Sequence, residues 1–165
     1  MKKIINNNNI VSKLGAEERI IIWSIREWKI CILTAKDPIK NLVCGLTQAS
    51  IQKISFLLDD LLKRICTYSL KPIDIRCHCS EYLGETESEL LLAISFFQNK
   101  NLNEHLNTKK KINNRNDINY KIEHIANLLF DEQFFLKNNQ NLSNKNYNNE
   151  KNIIYYDFSK NNTLH

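Results

Sequence analysis

Ile51, Ile54, Leu58, Leu61 and Ile65 recur at intervals of three, four, three and four, a series that an extended chain cannot place on one side. A helix of 3.6 residues per turn can. The stretch QASIQKISFLLDDLLKRICTYSL, residues 48–70, is therefore predicted to be helical, its seam widened by Leu57, Leu62 and Cys66. Asp59 with Lys63 and Asp60 with Arg64 stand at i and i+4 with the acid first, an order that supports a helix by about 0.2–0.5 kcal/mol per pair. Lys71-Pro72 closes the element, because the residue before proline is driven out of the helical region.

The same periodicity appears in three other places. Ile21, Ile25, Trp28 and Ile32 predict a helix over residues 16–34, with Glu17 and Glu18 in its first turn at the positive end of the helix dipole. Asp37-Pro38 is read as its terminator, followed by a connector containing Gly45. A third helix starts near Thr86, where Thr86 and Glu89 have capping-box spacing, and Leu90, Leu91, Leu92, Ala93, Ile94, Phe96 and Phe97 leave it almost no polar face. Such a helix is expected at the centre of a bundle. Ile118, Ile122, Ile125 and Leu129 predict a fourth helix from Asp117 to Leu136, with Leu128 and Phe135 adding width.

The fold expected is all-α: a compact bundle of about four helices with a short extended connector and a disordered Asn-rich linker and tail. The 24 asparagines set its limits, because they gather at residues 6–9 and after residue 99, where packing residues thin out. The boundaries read as a disordered N-terminus over 1–14, one helical domain over 15–137 with a flexible linker over 99–116, and a disordered tail over 138–165. In the tail, Ile153, Ile154, Tyr155, Tyr156 and Phe158 form a small apolar island suited to docking. The formal charge of +5 is mild. Its densest run, Lys109, Lys110, Lys111 and Arg115, falls in the linker and reads as a solvated connector.

The connector between the second and third helices changes period. Ile73, Ile75, Cys77 and Cys79 alternate with Asp74, Arg76 and His78, which predicts an extended segment with both thiols facing the core and His78 facing away. Five cysteines, Cys31, Cys44, Cys66, Cys77 and Cys79, make an odd number without the spacing of a secreted disulfide scaffold. With no signal-like or membrane-spanning apolar run, the expectation is a cytoplasmic protein with thiols free or metal-bound. A zinc site would use Cys77 and Cys79 with Cys66 and with His78 or His105, but no second close pair completes the usual pattern. Burial of free cysteines as small hydrophobes is the favoured reading. Cys79, just ahead of a helix start, is a weaker candidate for a catalytic thiol, since neither His105 nor His124 is placed beside it by any motif.

The segments AEERIIIWSIREW, LKPIDIRC and ETESELLLAI together resemble a group of small uncharacterised alphaproteobacterial helical proteins. Glu18, Arg19, Trp23, Arg26 and Trp28 carry the resemblance, with Arg76, Cys77 and Cys79, and with Ser88, Glu89, Leu90 and Leu91. It covers about residues 16–98 and implies a bacterial, intracellular helical domain without an assigned activity.

Other chemistry is thinly represented. Three glycines, Gly15, Gly45 and Gly84, cannot build a phosphate-binding loop. Asp59-Asp60 and Asp131-Glu132 read as solvated helix charges. Arg19, Trp23 and Arg26 share one side of the first helix and could meet a nucleic acid, although Glu17, Glu18 and Glu27 dilute the field, so packing of Trp23 with snorkelling arginines is preferred. By elimination the expected function is non-enzymatic, a protein–protein interaction or regulatory module whose partner is another protein or a second copy of the chain. Binding of nucleic acid, or of zinc through Cys77 and Cys79, is the alternative.

Overall fold

The computed structural model describes residues 10–69, 72–104 and 117–137. Among them lie five α-helices: α1 Ala16–Leu33, α2 Pro38–Thr47, α3 Ser55–Tyr68, α4 Glu85–Glu104 and α5 Asp117–Asp131. Short 3-10 turns at Val11–Lys13 and Gln52–Ile54 lead into α1 and α3. Helix α1 packs on α2, α4 and α3, while α5 closes the other side against α4 and α3. The basic run 109–115 and the island 153–158 fall outside the described residues, as do most of the expected linker and the whole of the expected tail.

The seams are as the periodicity predicts. Ile51, Ile54, Leu58, Leu61 and Ile65 are buried, as are Ile21, Ile25 and Trp28 of α1 and Ile118, Ile122, Ile125 and Leu129 of α5. They share one core with Leu42 and Leu46 of α2 and Leu90, Leu91 and Ile94 of α4. At ~25 cal/mol per Å² of apolar surface removed from water, this common core is the main favourable term in folding. Ion pairs tie the surface of α3 to α5: Arg64 reaches Asp60 and Asp117, and Lys121 also reaches Asp60.

Several expectations are revised. Asp37-Pro38 does end α1, but it also begins α2: the Asp37 side chain accepts the Ile39 amide and Pro38 occupies the first helical turn, where its missing N–H costs nothing. The expected second helix starts late, at Ser55 rather than Gln48, because Ser50 adopts φ 59° after α2 and a 3-10 turn precedes α3. Ile32 and Cys66 lie exposed where the helical stripes run past their neighbours. Helix α4 is not enclosed on all sides. It rests mainly on α5 and α1, leaving Phe96 exposed. It also runs to Glu104, six residues into the expected linker, while Leu14, expected to be disordered, is buried. Helix α5 stops at Asp131 rather than Leu136: Gln133 takes φ 57°, and Phe134 turns back to donate to the Leu129 carbonyl. Residues 134–137 then run beside α4 and α1, where Gln98 bonds Phe134 and Leu136 and Glu18 accepts the Lys137 amide.

Candidate functional site

Residues 72–84, between α3 and α4, belong to no sheet and contribute only an isolated bridge from Tyr82 to Ile10. Their backbone groups must find partners elsewhere. The sequence supplies these partners from α1 and from the first turn of α4. Arg26, on α1, is 3% exposed, and Glu87, on α4, is 0% exposed; Arg26 Nε donates to Glu87 Oε1 at 2.8 Å and Nη2 to Oε2 at 3.0 Å. The guanidinium then spans outward, Nη1 donating to the Ser80 carbonyl and Nη2 to that of Tyr82, each at 2.9 Å. Glu87 also accepts the Arg76 amide at 3.0 Å and the Gly84 amide at 2.8 Å. A buried charge pair survives only when its remaining hydrogen-bonding capacity is filled, and here the filling groups are the backbone of the segment itself.

Neighbouring groups complete the fastening. Lys29 Nζ donates to the Ile75 carbonyl. Asp74 accepts the Glu85 amide at the positive end of α4, while its own amide donates to Thr86 Oγ1. The expected pairing of Thr86 with Glu89 is therefore displaced by one that starts at Gly84, whose amide is held by Glu87 three residues on. Gly84 is required by close approach: a Cβ there would lie 1.9 Å from the Asp74 carbonyl oxygen.

On this frame stands a turn. The Ser80 amide donates to the Cys77 carbonyl at 3.0 Å, closing the chain over His78 and Cys79. A strand would hold residues i and i+2 about 6.6 Å apart; the turn brings the Cα atoms of Cys77 and Cys79 to 5.3 Å, and their sulfurs are joined in a disulfide. The predicted inward orientation of the thiols is lost, and Cys77, His78 and Cys79 are all exposed. Ile75 is buried as alternation requires, but the turn breaks the alternation, so Cys77 and Cys79 face solvent while His78 leans on α1. Its Nε2 lies 3.1 Å from Glu27 Oε2, and its ring stacks on Trp23 at 6.3 Å between centroids and 25° between planes. Trp23 in turn rests on Gly45 of α2, where a Cβ would come within 2.0 Å of the indole.

Glu27 gathers three donors: His78, Asn41 at 3.0 Å and the Cys31 thiol at 3.6 Å. Burial pushes its carboxyl up, but the hydrogen bonds from Asn41, His78 and Cys31 outweigh burial and hold it below its ordinary value. The Cys31 thiol is pushed up by burial and then by the Glu27 charge, so it remains a protonated donor and not a nucleophile.

The residues singled out in the sequence are thus dispersed or redirected. Arg19 is exposed, Trp23 is half-buried and Arg26 is buried and fully engaged, so the three do not form one exposed side. Cys66 is an exposed free cysteine on α3, and the sulfurs of Cys77 and Cys79 are bonded to each other rather than free or ligating. Among the described residues no group of three or more His, Cys, Asp and Glu side chains is arranged to hold a metal. His105 lies outside the described residues; His124, on α5, is exposed and tilts against Tyr120. Asp59, expected to be solvated, is buried and accepts the Trp28 indole N–H at 2.9 Å while pairing with Lys63.

What fold and site define is a helical protein in which an internal arginine–glutamate pair fastens an exposed cystine turn to the first helix. Searches of protein-family models, of curated proteins and of solved structures return no match to this chain. No helix among the described residues is long and apolar enough to cross a membrane.

Proposed function

We propose that this chain works through protein contacts, as a non-enzymatic interaction or regulatory module. One observation carries the reading: large apolar side chains remain at the surface while the buried charges of Arg26, Glu87 and Asp59 are committed to the fold. Leu33 is 73% and Phe56 63% exposed, and Ile32, Phe96, Tyr120 and Phe135 are also exposed. By contrast, Arg26, Glu87 and Asp59 bond to backbone, to one another and to Trp28. Two depressions, one beside Ile65 and Leu90 and one beside Tyr120 and His124, hold about 50 and 120 Å³, well short of the roughly 300–1,000 Å³ typical of small-molecule sites. Aromatic and aliphatic anchors of this kind dominate the energetics of protein interfaces.

The test is capture from the native cell with the full chain, the double variant Leu33→Ser/Phe56→Ser, and a chain shortened after residue 137. A partner retained by the full chain and lost with the serine variant, at unchanged circular dichroism, supports the reading. Equal recovery with all three baits, or no specific partner with any, contradicts it.

A further inference from the structure

We propose that Cys77 and Cys79 form a reversible thiol–disulfide exchange site, with a dithiol as its co-reactant, and that its oxidation state sets the pose of His78 against Trp23 and Glu27. This rests on the geometry of the turn and is independent of the partner-binding reading.

The bond is poorly suited to stapling the fold. A disulfide stabilises chiefly by shortening loops in the unfolded chain, and the benefit shrinks with loop length; here the two cysteines are two residues apart. Its sulfurs are also on exposed residues, whereas disulfides that resist exchange are shielded from attack. The turn does not need the bond to keep its place. On one side the Arg76 amide is held by Glu87; on the other the Ser80 and Tyr82 carbonyls are held by Arg26 and the Glu81 carbonyl accepts the Val11 amide. Opening the bond therefore frees only the tip, and the anchors keep both thiols near each other for reclosure, a high effective concentration for the return step. The residue between them is the one that touches α1. His78 cannot follow a movement of the tip without changing its stacking on Trp23 and its bond to Glu27.

The exchange balances. A thiolate of the dithiol attacks one cystine sulfur, forming a mixed disulfide and expelling the other cysteine as a thiolate, which takes a proton from water. The second thiol of the reductant loses its proton and displaces the remaining cysteine, which is protonated in turn. Two electrons and two protons pass to the Cys77/Cys79 pair, and the dithiol closes into its own disulfide.

The experiment uses the full chain, first treated with excess glutathione disulfide and desalted, then titrated with dithiothreitol, quenched with an alkylating reagent and cut with trypsin. Cleavage after Arg76 and Lys100 leaves both cysteines on one peptide. The expected result is a peptide that takes neither label nor glutathione after oxidation, takes two labels as dithiothreitol is added, and does so in step with a change in tryptophan emission. A Cys77→Ser/Cys79→Ser chain, altered only at exposed positions, is expected to fold and to show no emission change with either reagent. Label uptake at Cys77 and Cys79 after oxidation, or glutathione adducts in place of the pair, overturns the exchange site. An emission that ignores opening of the bond, or that still responds in the serine variant, overturns the coupling to His78 and Trp23.

Discussion

Glu87→Gln removes one charge and no volume, so its effect isolates what the buried pair contributes. In the folded chain Glu87 accepts four hydrogen bonds, two from Arg26 and one each from the Arg76 and Gly84 amides. An amide can accept at only one of its two terminal atoms; the other becomes an –NH2 facing two donors at 2.8–3.0 Å, whichever way it is turned. Arg26, 3% exposed, then stays charged without a counter-charge. Breaking one partner of a buried pair costs about 3–5 kcal/mol, and leaving further buried donors unpaired adds in the same direction at about 1–3 kcal/mol each. Against a total stability of about 5–15 kcal/mol, the variant is expected to lose at least a third of it. Urea unfolding followed by circular dichroism measures this directly as a lowered midpoint at unchanged slope. Arg26→Met alone should also destabilise, and the double variant should lose less than the sum of the two. A loss under about 0.5 kcal/mol for Glu87→Gln, the range of an ordinary surface substitution, would refute the buried clamp.

The remaining expectations concern the same frame. Gly84→Ala sets a methyl carbon against the Asp74 carbonyl, which is backbone and cannot rotate away; a loss of at least ~1–3 kcal/mol is expected, and an unchanged urea midpoint would contradict it. Leu58→Ala, at a position 1% exposed within the α3 seam, should cost about 2–5 kcal/mol, with a loss under about 0.5 kcal/mol showing that the seam is misplaced. Because the Glu27 carboxyl is held below its ordinary value of 4.5, its contribution is present above the unfolded value and is lost as pH falls through the lower folded one. Stability should therefore decline with acidification below about pH 4.5, and less steeply in Glu27→Gln; parallel curves for the two proteins would show that Glu27 carries none of the slope.

The helices α1, α3 and α5 were legible because burial on one face writes itself into spacing. Helix α2 was not, since Asp37-Pro38 signals both an ending and a beginning, and Gly45 in a short helix reads as a loop until Trp23 is seen to fill the space above it. The buried clamp joins residues 61 apart in sequence, a distance that local pattern does not span. Yet each half left a trace. Glu87, Leu91, Ile94 and Gln98 continue one helical stripe, and Ile22 and Arg26 share another, so a charge stood in each apolar register where burial demands a partner. Alternation in Ile73, Ile75, Cys77 and Cys79 predicted the first half of the segment and failed at the turn, because the Cys77–Ser80 hydrogen bond reverses which residue faces α1. Nothing local announced that His78 would find Glu27, 51 residues earlier.

Glu87 holds the backbone of the cystine segment from inside the protein, and the amide protons of Arg76 and Gly84 report on that hold. In native-state hydrogen exchange both should be slowed at least ~100-fold relative to an unstructured chain, and both should lose that protection together in Glu87→Gln. Exchange of these two amides at unstructured rates in the unaltered protein would show that Glu87 does not hold the segment.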